Sequence, residues 1–120
     1  MLYEELSTTI VDAVIAVHKA LGPGLLEMPY HNALYMELRA QGLAVTYNAP
    51  FPVYYRGEQV GDYFADLVVE GKIVIEVKSV REVGQAATAQ LINYLRISGC
   101  RLGFLVNFHG TRATWKRYVV

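Results

Sequence analysis

The sequence predicts an α/β domain in which a mixed β-sheet, an antiparallel meander plus a parallel crossover strand, is flanked by helices. Three observations predict it. Two stretches with apolar residues at helical spacing open the chain. The period then switches to runs of β-branched and aromatic residues separated by short turns. A further helical stretch comes next, standing between two strongly apolar runs of strand character. The order is α-α-β-β-β-α-β-β, an α/β sandwich.

The first helix is expected over 4–21, where Leu6, Ile10, Ala13, Val14, Val17 and Leu21 share a face. Gly22, Pro23 and Gly24 break it. A second helix is expected from about Pro29 to Ala40. Pro29 suits a first-turn position, where its missing N–H costs nothing, and Gly42 suits the stop. "LAVTY" at 43–47 and "FPVYYR" at 51–56 have strand composition, and Pro50 and Pro52 demote their neighbourhood to an edge or a bend. "RGEQ" reads as a turn into a strand over 60–69, and "EGK" as a turn into another over 73–80. Residues 84–99 return to helical spacing through Ala87, Leu91, Tyr94 and Leu95. Residues 102–108 and 113–119 form the last two strands, joined by a turn at "HGT". The strand-helix-strand step from 73 to 108 places its two strands parallel through a right-handed crossover.

A chain of 120 residues implies one domain, 1–120. With 53% hydrophobic and 18% charged residues it fills a core rather than remaining a disordered tail. No apolar run is long enough to span a bilayer, and the acidic start "MLYEELSTT" is unlike a signal peptide. The single Cys100 excludes an internal disulfide, a zinc finger and a cysteine-ligated cluster, which suits a reducing cytoplasm; it reads as a bland thiol. Net charge is zero, so the overall field gives no vote for nucleic acid. The halves differ, however. Residues 1–60 hold three basic against six acidic side chains, and residues 61–120 hold eight against five.

The chemistry is expected in the two strands of the second hairpin. In 74–80, "VIEVKSV", Glu76 and Lys78 point to one face and Val77 to the other. In the preceding strand Ala65, Leu67 and Val69 share one face, and Phe64, Asp66 and Val68 the other. A three-residue turn, Glu70-Gly71-Lys72, pairs Val69 with Ile73 and sets Asp66 across from Glu76. That register also makes Leu67, Val69, Ile73, Ile75 and Val77 one buried face, which a one-residue slip would destroy. Asp66, Glu76 and Lys78 are therefore expected to converge. Adjacent carboxylates need a cation between them or a proton on one of them. Lys78 supplies such a cation as a structural ion pair; a divalent Mg²⁺ or Mn²⁺, which oxygen ligands suit, supplies it as a catalytic one.

Asp66 followed by Glu76-Val77-Lys78 on the next strand resembles the PD-(D/E)XK nuclease signature. Gln90-Leu-Ile-Asn-Tyr94 on the next helix resembles the QxxxY motif of the RecB-like branch. Gly24-Leu-Leu-Glu27-Met-Pro-Tyr30 matches GxxExxY, the motif of a small family in that superfamily. The four motifs fall in order on the right elements, and the resemblance covers nearly the whole chain. Ala65 stands where the superfamily's proline precedes the aspartate.

The resemblance implies a restriction-endonuclease-like core and metal-dependent hydrolysis of phosphodiester bonds in DNA or RNA. Asp66, Glu76 and the backbone carbonyl of Val77 would ligate Mg²⁺ or Mn²⁺, with Glu27 joining directly or through water. Lys78 would orient the attacking water or stabilise charge on the phosphorane oxygens. Gln90 and Tyr94, four apart on one helical face, would hold Lys78, a water or a phosphate. Tyr30 reads as packing with a hydrogen bond. A chain this small leaves little room for base reading, so strong sequence specificity is not expected, and a homodimer or larger complex would supply a groove. The competing reading is a nuclease-like fold kept as a nucleic-acid- or protein-binding module with little or no catalysis. His18, His31 and His109 read as surface or helix-end histidines. Trp115, beside Lys116 and Arg117, is the exposed stacking candidate.

Overall fold

The computed structural model describes residues 1–120. Its elements are α1 (Glu4–Leu21), α2 (Glu27–Ala40), β1 (Val45–Tyr55), β2 (Glu58–Val69), β3 (Ile73–Lys78), α3 (Gln85–Ser98), β4 (Leu102–Asn107) and β5 (Thr114–Val119). One sheet holds the five strands in chain order. β1, β2 and β3 run antiparallel, β3 and β4 parallel, and β4 and β5 antiparallel. The mixed α/β sheet expected from the sequence is the one observed.

The helices cover opposite faces. α1 and α2 bury Ile10, Val14, Tyr30, Leu34 and Leu38 against Leu67, Val69, Ile73, Ile75, Val77, Phe104 and Val106. α3 buries Leu91, Tyr94 and Leu95 against Val68, Val74 and Leu105. α3 lies close because β4 carries Gly103 beneath it. A Cβ there would stand 2.8 Å from Leu91 Cδ1.

One boundary is corrected, and the edge placement expected for Pro50 and Pro52 is the one observed. α2 begins at Glu27, two residues before Pro29, so proline sits within the first turn rather than opening it. Residues 45–55 form one continuous strand despite Pro50 and Pro52. They do so because β1 is the outer strand, where a missing N–H leaves no neighbour unsatisfied.

The hairpin register is the expected one, with Val69 opposite Ile73 and Leu67 opposite Ile75. Ala65 departs from expectation. It joins Ala49 and Val68 on the α3 side, while Leu67 lies on the α1/α2 side. The pairing of β1 with β2 has no Asn48–Asp66 step, and Asn48 takes φ 47°. Both strands switch faces there, since Tyr47 packs toward α2 and Ala49 toward α3. A left-handed residue in one strand breaks the alternation, as at a bulge. Asp66 sits at this pivot.

Candidate active site

The pivot frees the backbone of Asp66 from the β1 ladder, and site side chains take it up. The Asp66 N–H donates to Glu76 Oε2 at 2.8 Å. In return the Val77 N–H donates to Asp66 Oδ2 at 2.7 Å. The two carboxylates thus cross between β2 and β3, each bound to the backbone of the opposite strand. Each keeps a second oxygen free of these bonds. Backbone N–H bonds from both strands orient the two side chains, so the pair is rigid.

Glu76 is 5% exposed. Burial, then the neighbouring Asp66, raises its pKa to about 9. Lys78 pulls it down only weakly. Both carboxylates bind backbone rather than the Lys78 ammonium, so an ion pair with Lys78 does not balance the site. A buried carboxylate that holds its proton beside a second carboxylate lacks a counter-charge. Two hard oxygen donors in that state fit Mg²⁺ or Mn²⁺. No third His, Cys, Asp or Glu joins them to make a complete cluster. A metal held here would draw its remaining ligands from backbone carbonyl, water and substrate, as Mg²⁺ commonly does.

The strand ends at Lys78, and the residues just beyond it are held firmly. The Lys78 carbonyl accepts from the Phe108 N–H at 2.9 Å. Asn107, buried at the end of β4, prolongs the ladder with its amide, donating to the Val80 carbonyl at 2.8 Å and accepting from the Val80 N–H at 3.1 Å. Ser79 donates to the Leu25 carbonyl at 2.7 Å, which ties the turn before α2 to the end of β3. Glu27, two residues beyond Leu25, is exposed at the first position of α2. It is near this end of the sheet but is not gathered with Asp66 and Glu76 into a metal-holding group.

The Gly24–Tyr30 segment has a structural logic. Gly24 has φ 95°, a conformation side chains resist. Tyr30 is buried, stacks on Phe108 with centroids 4.6 Å apart, donates to the Gly22 carbonyl at 2.6 Å and accepts from the Leu25 N–H at 3.2 Å. Tyr30 therefore shapes the turn that meets Ser79. It packs and hydrogen-bonds, as expected.

α3 turns Tyr94 toward the acids. Burial and then the charge of Glu76 raise the Tyr94 pKa. Gln90, exposed, donates to the Tyr94 hydroxyl at 2.7 Å, and Tyr63 meets the Tyr94 ring edge-on at 5.4 Å.

Of the histidines expected at the surface or at helix ends, His18 and His31 are buried, and His18 lies in the last turn of α1. His31 donates through Nε2 to the Asp66 carbonyl at 2.9 Å, so that nitrogen carries the proton. Its ring stacks on Tyr47 at 4.3 Å. With Glu76 on its N–H and His31 on its C=O, Asp66 is fixed on both backbone groups. His18 donates in the same way to the Gly110 carbonyl at 3.0 Å. Sequence reasoning missed His31 and Asn107. The position of His31, directly after Tyr30 of the Gly24–Tyr30 motif, was the available signal for the first; nothing in the sequence singled out the second.

A family model described as the PD-(D/E)XK nuclease superfamily matches residues 4–118. The crystal structure of SSO0001 is similar in fold, with TM-score 0.61 and 21% identity over 98% of this chain and 57% of that one. So is that of an alkaline exonuclease (LHK-Exo) from Laribacter hongkongensis, with TM-score 0.56 and 12% identity over 99% of this chain and 71% of that one. This chain thus spans little more than half the length of SSO0001. No curated protein matches.

Proposed function

This chain belongs to the PD-(D/E)XK nuclease superfamily, and from that premise we propose that it is a metal-dependent nuclease hydrolysing phosphodiester bonds of DNA or RNA without strong sequence specificity. The observation that carries the reading is the crossed pair of half-buried Asp66 and buried Glu76, short of positive charge, with Lys78 two residues along the strand from Glu76. We place the chain with the GxxExxY proteins of the RecB-like branch, on Gly24, Glu27 and Tyr30 and on Gln90 and Tyr94.

Asp66 and Glu76 would hold Mg²⁺ or Mn²⁺ through their free oxygens, with the Val77 carbonyl beside them and Glu27 acting through a water. A bound divalent ion supplies Lewis-acid polarisation of the phosphate and a lowered pKa for water. The chain's own residues do the rest. Glu76 gives up its proton when it takes a cation, because the charge that burial opposes is then matched. Lys78 orients the attacking water or meets the charge that grows on the phosphate oxygens as the bond to water forms. Tyr94, held by Gln90, offers its hydroxyl to a phosphate oxygen. The rigid hairpin keeps these groups in place before substrate arrives.

Calorimetric titration with Mg²⁺ and Mn²⁺ tests this, on wild type and Asp66→Ala, with single- and double-stranded DNA and RNA incubated in parallel. Metal binding that the variant loses, together with metal-dependent cleavage by wild type, is the expected result. Binding without cleavage favours the binding-module reading. No binding, even with a nucleic-acid phosphate present to complete the shell, would sink the proposal.

A further inference from the structure

A second site lies on the other side of the sheet. Between the C-terminal half of α1 and the loop into β5 is a cavity of about 490 Å³. Lys19, Arg112, Thr111, His18 and Trp115 line it with two small or apolar neighbours, and no carboxylate does. Trp115, the chain's only tryptophan, is 37% exposed. The sequence sets it beside Lys116 and Arg117, which adjoin it in neighbouring pockets but do not line this cavity. Lys116 lies opposite Leu105, on the α3 side, and Arg117 donates to the Leu2 carbonyl at 2.8 Å. Within this cavity the cations that share the wall with the indole are Lys19 and Arg112.

The wall is pinned in place. His18 donates to the Gly110 carbonyl and stacks on Phe108, which fixes the loop onto α1. The site also adjoins the chemistry. Thr114 pairs with Asn107, and Asn107 with Lys78, so the cavity begins two strands from Lys78 at the same end of the sheet. At strand spacing that is on the order of 10 Å.

A part-exposed indole beside two cations, in a cavity that no carboxylate lines although Asp12 shares the adjoining pocket with the indole, matches a ligand that alternates phosphates with flat π-systems. Trp115 faces the α1 side, whereas Asp66 and Glu76 face α3. A chain that visits both must bend around the end of the sheet between neighbouring nucleotides. A flexible single strand does so. A duplex, stiff over about 150 base pairs and with its base faces already stacked, does not.

We propose that this cavity is a subsite for single-stranded nucleic acid flanking the cleaved phosphate, with Lys19 and Arg112 on phosphates and one base stacked on Trp115. The inference rests on the nuclease reading for the identity of the ligand, but its test is separate. Fluorescence of the lone tryptophan is followed in EDTA as single-stranded DNA or RNA of about 12 nucleotides is added, a length covering a typical single-strand site. A closed DNA hairpin serves as the duplex probe. The single strands are expected to quench Trp115 and the hairpin to leave it unchanged. Removing both exposed cations, Lys19→Ala with Arg112→Ala, should lower the slope of log affinity against log salt by about 1.4, at about 0.7 per phosphate contact on a single strand. No quenching by either single strand, equal quenching by the hairpin, or an unchanged salt slope would each overturn it. Cleavage assayed with Mg²⁺ keeps the two ideas apart. Quenching without cleavage leaves the subsite and removes the nuclease; cleavage without quenching does the reverse.

Discussion

The two faces of the sheet are built for different work. Under α1 and α2 a cluster of sixteen buried residues forms the larger core, and its strand residues are branched aliphatic or aromatic side chains. Under α3 the cluster is nine residues and includes Ala49, Ala65, Cys100 and the polar-tipped Tyr94. Burial of apolar area scales with such contacts, so the first face carries most of the stability. The second face is thinner, and at its end it admits Asp66, Glu76 and Lys78. The fold can hold a carboxylate pair mid-sheet because the opposite side of the same strands is the better packed one.

The strongest way to break this contrast is to empty the larger core. Phe104, buried opposite Ile75 on the α1/α2 side, is expected to cost about 3–5 kcal/mol when changed to alanine. Leu95→Ala on the α3 side should fall at the lower end of the usual range of about 2–5 kcal/mol, since a thinner layer collapses more readily. Urea denaturation of the two variants checks this; equal losses would mean that the faces share stability evenly.

Lys78→Ala reads the other face. It should keep the fold and the metal, because neither carboxylate depends on Lys78 for its hydrogen bonds. Cleavage should fall by about 10²- to 10³-fold, the usual cost of losing one group that meets transition-state charge. Calorimetry with cleavage kinetics on one preparation measures both. Cleavage at the wild-type rate would remove Lys78 from the chemistry.

How far the sequence reveals this division varies by residue. The Asp66–Glu76 juxtaposition is readable because a three-residue turn and five apolar positions demand the same register. Tyr94 is readable from helical spacing. The crossing of each carboxylate to the opposite backbone is not, because it depends on the pivot at Asn48, whose positive φ has no periodic signature. His31 escapes sequence reasoning for a related reason. Its role comes from α2 meeting β2, a contact between residues 35 apart that no local pattern encodes. Asn107 shows in the sequence only as the polar end of an apolar strand.

The pH dependence sharpens the contrast next. Glu76 moves from its ordinary 4.5 to about 9 on folding, through burial first and Asp66 second. Between those values the folded metal-free chain holds a proton that the unfolded chain has lost. Its stability therefore falls as pH rises through that window, by at most about 1.4 kcal/mol per pH unit. Glu76→Gln should remove that slope. Metal affinity should rise over the same window, because binding displaces the proton. Denaturation series across the window, with and without Mg²⁺, give the result; a Glu76→Gln variant with the wild-type slope would place the proton elsewhere.

The smallest expected effect concerns how α3 sits over the acids. Gly103→Ala puts a Cβ 2.8 Å from Leu91 Cδ1 and 3.2 Å from both Leu95 methyls. These are the ends of flexible side chains, so α3 yields slightly rather than the strand, and the cost should be near the low end for overpacking, about 1 kcal/mol. Leu91 follows Gln90 directly, so the shift also moves Gln90 and Tyr94 relative to Glu76. Asp66 and Glu76 do not move with it, because backbone bonds between β2 and β3 hold them. Metal affinity should then match wild type while cleavage falls modestly, an outcome that assigns metal binding to the hairpin and phosphate placement to the helix. A loss of metal affinity equal to the loss of cleavage would show instead that α3 is part of the metal site's own support.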